Sequence, residues 1–217
     1  MQLGASVRVR SVTELTIHGV DLVCQEPALC WAACVKMVLA VDGIEVTQQG
    51  LHDQAFPGSR RNRAAYPDEV VRLLADPGIE TSAGRRAFVA TAYRIFGVDV
   101  GKRSGPSLVP IAASESMLEQ DQLLARDLES ELMQGRPFFL SVMDPGRSHA
   151  YLVTGMRYVP DARIHVRPSR AVRHFGAAVI DIASLFLYDP QTGEQFWRTV
   201  EDLDDSTHAI LIRRSSE

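Results

Sequence analysis

Three cysteines, Cys24, Cys30 and Cys34, stand in the short segment CQEPALCWAAC. A thiol attacks a carbonyl only as its thiolate, so surroundings decide which cysteine can do chemistry. From Ala28 to Val41 the only charged residue is Lys36, and a helix apolar nearly all round is a buried one. Pro27 suits its first turn and Gly43 its end. Cys30 therefore falls at the N-terminal end of a buried helix. Unpaired N–H groups and a partial positive charge there lower a cysteine pKa. Cys34 is one turn further in and Cys24 precedes the helix, so Cys30 is the candidate nucleophile.

Gln25 lies five residues before Cys30. Its amide is placed to donate toward the carbonyl that the sulfur attacks, with the Cys30 N–H as second donor. Such an oxyanion hole contributes roughly 3–4 kcal/mol per donor to the transition state. A proton shuttle is needed as well. His149 opens a strand after the loop DPGRS, and Asp189 closes the next strand in LYDP. Antiparallel neighbours bring the start of one strand beside the end of the other, so Asp189 would accept from the imidazole and fix its tautomer.

These residues need a scaffold, and 217 residues with 46% apolar composition suffice for one domain with a full core. The net charge of −4 gives no broad basic field, so no nucleic-acid partner is expected. No stretch has the length of a membrane span or of a secretory apolar core, and three cysteines do not make a disulfide framework. A soluble protein of a reducing cytoplasm is expected, with export as an effector left open. No cofactor is implied, and the cysteine spacing lacks the C-x-x-C pattern of a metal site.

Along the chain, residues 6–23 suggest one or two short strands. Residues 46–55 and 67–75 read as helices, the second started by Pro67 and carrying Val70, Val71, Leu74 and Ala75 at helical spacing. Residues 84–97 read as helix, with strand as the alternative, and GKRSGPSLVP at 101–110 as a loop. Ser116 and Glu119 make a capping-box pattern for a helix bearing Met117, Leu124, Leu128 and Leu132, stopped by Gly135 and Pro137. Strands follow at 138–143, 149–158, 178–189 and 209–214. Helices first and consecutive strands later argue for an α+β fold. One domain over 1–217 is expected, with a mainly helical half at 1–135 and an antiparallel sheet half at 136–217. An inserted loop at 159–176 carries Arg163, Arg167, Arg170 and Arg173.

The segment QEPALCWAA, Gln25 to Ala33, is similar to the nucleophile motif of papain-like cysteine peptidases: Gln, a short spacer, then Cys-Trp-Ala. SHAYLVTG resembles that family's histidine segment, and LYDPQTG the Asp-Pro segment of its bacterial branches, which include bacteriocin-leader-processing peptidases and avirulence-effector-type proteases. The resemblance is dense over roughly 24–43 and 136–192. It implies a helical half holding Cys30 against a sheet half holding His149 and Asp189, with Gln25 at the oxyanion hole and Trp31 packed behind the nucleophile. It implies covalent hydrolysis of a protein or peptide substrate through a thioester, without metal or organic cofactor. Two features depart from the family: Ser148 stands where glycine is frequent, and the stretch from His149 to Asp189 is long.

Other readings fit some of the same residues. The triad would equally serve deamidation or acyl transfer to an amine, since only the acceptor changes. A degenerate peptidase fold would act as a binding module. Cys30 as a plain buried thiol, Asp189 as a turn former before Pro190, and Gln25 as a loop residue are the bland alternatives. His208, in THAILI, rivals His149 but has little chain after it. His18, His52, His165 and His174 carry no partner pattern. Arg60, Arg61 and Arg63, with the arginines of 159–176, read as solvated faces or as a hold on an acidic segment of a partner.

Overall fold

The computed structural model describes residues 12–97, 106–110, 117–144, 147–159, 181–203 and 207–214. It is a mixed α+β fold whose sheet strands all pair antiparallel. The helices are α1 (Cys30–Val41), α2 (Gln48–Ala55), α3 (Pro67–Ala75) and α4 (Met117–Met133). The strands are β1 (Thr13–Thr16), β2 (Ile79–Thr81), β3 (Gly84–Arg86), β4 (Phe88–Gly97), β5 (Pro106–Pro110), β6 (Phe138–Asp144), β7 (Arg147–Val159), β8 (Asp181–Tyr188), β9 (Gln195–Thr199) and β10 (His208–Arg214). A 3-10 turn, Val200–Asp202, follows β9.

The main sheet runs β5-β4-β10-β6-β7-β8-β9, and β1 pairs with β7 beyond the end of β6. β2 and β3 form a separate hairpin. Both faces of the sheet are covered, which explains the unbroken apolar runs FFL and AILI. Phe139, Ala150, Leu152, Tyr188, Ile210 and Ile212 pack toward α1 and α3. Phe138, Leu140, Val153, Leu185, Leu187, Ala209 and Leu211 pack on the other face with Leu128 and Leu132 of α4. Glu131 of α4 is buried and accepts from Arg213 Nε of β10 at 2.6 Å, tying that helix to the central strand.

α1 buries nine of its side chains and leaves Lys36 half-exposed, as its composition requires. It starts at Cys30 rather than at Pro27. Pro27 and Ala28 instead occupy the centre of a tight turn closed by Leu29 N–H donating to Glu26 O at 3.0 Å. Proline suits the first central position of such a turn, and Ala28 takes the left-handed second position, φ +61°, usual for glycine. α2 is capped by Thr47, whose Oγ1 accepts from Gly50 N–H at 2.9 Å. α3 opens with Pro67, and the Glu69 carboxylate turns back to accept from Tyr66 N–H at 2.8 Å.

Three sequence expectations change. Residues 84–97 are strands, β3 and β4, not a helix. Phe88, Ala90 and Ala92 alternate toward the α1–α3 core while Val89 points outward, and the small alanines blur that alternation in the sequence. Residues 106–110 of the expected loop form β5 at one edge of the sheet. Residue 135 does not divide helices from sheet, because β1, β4 and β5 from the first half join the same sheet as β6 to β10. Ser116 and residues 160–176 lie outside the described residues. Among the described residues no helix is long and apolar enough to cross a membrane.

Candidate active site

The site forms where the first turn of α1 meets the start of β7. Cys30 is 6% exposed. The nearby backbone N–H groups of Ala150, Trp31 and Cys30 itself favour its thiolate. The Trp31 and Cys30 N–H groups belong to the opening turn of α1, whose donors lack intrahelical partners. Ala150 follows His149, so the start of β7 faces the first turn of α1 at Cys30. The net direction nevertheless opposes the sequence expectation. Burial outweighs these donors and pushes the Cys30 thiol above its ordinary value of 9.0, and the nearby Asp189 charge adds to the rise. Cys34, fully buried one turn on, is raised well above that value, again by burial first. Cys24 is exposed.

His149 is held from three directions. Val142 of β6 pairs with it across the ladder. Its Nε2 lies 2.8 Å from Asp189 Oδ1. Tyr151, two residues along β7, stands edge-on to the imidazole with ring centroids 4.5 Å apart, and is itself backed by Phe196 of β9 at 5.9 Å. Asp189 sits just past the end of β8, where Tyr188 pairs with Leu152. Its Oδ1 also accepts from Gln191 N–H at 2.8 Å, and its backbone closes a turn through Glu194 O and Gly193 N–H. With Nε2 engaged by the carboxylate, Nδ1 is the nitrogen left for proton exchange.

Gln25 lines the same cleft, and its side-chain oxygen is buried without a protein partner. The two ends of an amide have the same shape, so a half-turn presents the NH2 group there instead. Its backbone N–H donates to Pro190 O at 2.8 Å, joining the segment before Cys30 to the Asp189 turn. On the other side is a residue that sequence reasoning missed. Buried Gln48, first residue of α2, accepts from Glu26 N–H at 2.7 Å and donates to Cys24 O at 2.8 Å. Its only sequence signal is its place directly after the capping residue Thr47.

The cleft encloses about 960 Å³ and brings Gln25, Cys30, Ser148, His149 and Asp189 together. Ala28 and Ala64 contribute on the α1 side; Tyr151, Arg198, Glu201, Asp202 and Leu203 contribute on the sheet side. Trp31 is buried behind Cys30 and donates from Nε1 to Arg63 O at 3.1 Å, anchoring the loop that carries Ala64. Asn62 Nδ2 donates to Pro27 O at 3.1 Å, and the Arg63 guanidinium lies over the Phe56 ring and pairs with Glu69. Arg60, Arg61 and Arg63 are all exposed, but Arg63 also serves this loop. The β9 residues and the 3-10 turn carry no periodic pattern in the sequence, since the three central residues of β9 are all half-buried.

His208 is not among the residues lining the cleft: it starts β10 and pairs with Arg94 and Ser141, beyond β6 from His149. His52 is buried in α2, beside Gln49 and Asp53. Among the described residues no group of three or more His, Cys, Asp or Glu side chains is arranged to hold a metal ion. No protein-family model, curated protein or solved structure matches this chain.

Proposed function

We propose that this chain is a papain-like cysteine peptidase that cleaves a protein or peptide through a thioester on Cys30. One observation carries the reading: His149 bonds Asp189 through Nε2 at 2.8 Å, and both line the same cleft as Cys30. A nucleophile, a base and the group that orients the base thus come together in one cleft, in the order the chemistry needs.

Because burial keeps the thiol protonated, His149 removes the proton through Nδ1 as the sulfur attacks the substrate carbonyl. A C–S bond forms, and the carbonyl oxygen becomes an oxyanion held by the Gln25 amide and the Cys30 N–H. The C–N bond then breaks as His149 returns the proton to the leaving amine. Water, deprotonated by His149, hydrolyses the thioester. Asp189 keeps the imidazole in one tautomer throughout. A cleft of about 960 Å³ is at the upper end of small-molecule pockets and suits a peptide segment.

The test is incubation of the protein with unstructured protein substrates and mass spectrometry of new peptide termini, with a labelled amine present. New termini that vanish in Cys30→Ser and His149→Ala support peptidase action. Amine incorporation or a one-dalton gain at glutamine, without new termini, moves the assignment to acyl transfer or deamidation. A folded protein that does none of these acts as a binding module.

A further inference from the structure

We infer that Gln48 is a positioning residue for the oxyanion donor Gln25, an inference that rests on the peptidase reading above. The backbone hydrogen bonds along Cys24–Glu26 go to two partners, the pattern made by alternating backbone groups. Gln48 takes one side. Its Oε1 accepts from Glu26 N–H at 2.7 Å and its Nε2 donates to Cys24 O at 2.8 Å, the pair of bonds a neighbouring strand would make. The chemistry of the two partners fixes which end of the amide is which. The other side is taken by Pro190 O, which accepts from Gln25 N–H at 2.8 Å. Gln25 is therefore clamped at the residues before and after it and at its own nitrogen, and it lines the cleft.

Gln48 itself is 5% exposed and has both ends of its amide satisfied. It is the first residue of a helix capped by Thr47, so its backbone is fixed as well. A rigid helix terminus thus sets the position of an oxyanion donor on a loop, and small displacements of such donors are costly.

The inference is tested on full-length wild type and Gln48→Leu. A fluorogenic peptide library screened on the wild type supplies the substrate, and the matching peptide aldehyde serves as the inhibitor. Aldehyde addition to Cys30 creates an oxyanion; alkylation by iodoacetamide displaces iodide from carbon and creates none. Gln48→Leu is expected to lower kcat by about tenfold to a hundredfold with little change in KM, less than removal of a donor itself costs. Aldehyde affinity falls by a similar factor, while the alkylation rate of Cys30 stays within about twofold of the wild type, because that reaction forms no oxyanion. Where the leucine variant does not fold, Gln48→Glu, which keeps the acceptor for Glu26 N–H, is expected to show the same pattern at smaller size. Equal kcat and aldehyde affinity in wild type and variant overturn the inference alone. Turnover and alkylation falling together also overturn it, since Gln48 then merely supports the fold around Cys30. A wild type that turns over no peptide and takes up no aldehyde overturns the peptidase reading instead, and this inference with it.

Discussion

His149 Nε2 and Asp189 Oδ1 stand 2.8 Å apart although 40 residues separate them in the chain. The contact follows from register. β7 and β8 pair Leu152 with Tyr188, so the residue after the end of β8 falls beside the start of β7. The same Asp189 oxygen accepts from Gln191 N–H, which fixes the carboxylate before it meets the histidine.

That arrangement requires an acceptor more than a charge. Asp189→Ala removes the bond to Nε2 and is expected to lower kcat by about a hundredfold or more. Asp189→Asn keeps an oxygen able to accept from both His149 Nε2 and Gln191 N–H. It is expected to lose less than about tenfold, in contrast to sites where the amide imposes the wrong tautomer. Steady-state kinetics of the two variants on one peptide checks the order; equal losses would contradict it.

Trp31 links α1 to the cleft wall through its bond to Arg63 O. Trp31→Phe retains a ring able to meet Phe56 edge-on but loses that bond, at about 1 kcal/mol of stability. The loop carrying Ala64 is loosened while Cys30 and His149 keep their places, so KM should rise more than kcat falls. Urea unfolding together with peptide kinetics measures both effects.

Cys34 gives the fold a dependence on alkaline pH. The folded protein holds this thiol protonated well above its ordinary value of 9.0, whereas the unfolded chain loses the proton near that value. Between those two values the unfolded state binds fewer protons, so stability falls as pH rises past about 9. Tyr188, raised by burial first to about 12 from 10.0, adds to the fall above pH 10. Cys34→Ala is expected to flatten the slope of unfolding free energy between pH 9 and 10.5 by up to about 1.4 kcal/mol per pH unit. Urea midpoints across that range test it; parallel slopes would contradict it.

Much of the site was legible because its signals are local. The run from Leu29 to Leu39 could only be a buried helix, and Cys30 at its start, with Gln25 five residues before, is readable locally. α3 matched its reading at both ends because Pro67 marks the start and the apolar spacing is helical. What escaped was set by distant pairing. β10, the last strand, sits in the centre of the sheet between β4 and β6, and nothing in HAILIRR names those neighbours. β9 shows no alternation because its three central residues are all half-buried between exposed ends. Gln48 was invisible because its two bonds reach back 22 and 24 residues. The acidity of Cys30 was misjudged for a related reason. The helix terminus is visible in sequence, but the packing that desolvates the sulfur is not.

The account stands on Cys30 and His149 acting on each other, and the rate of iodoacetamide alkylation at pH 7 measures that directly. Site-resolved mass spectrometry separates Cys30 from exposed Cys24 and buried Cys34. In the wild type, Cys30 is expected to react faster than Cys24, because His149 takes its proton. In His149→Ala the thiol, whose burial favours the protonated form, has no base beside it, so its rate should fall at least tenfold while Cys24 is unchanged. Equal Cys30 rates in the two proteins would contradict the account.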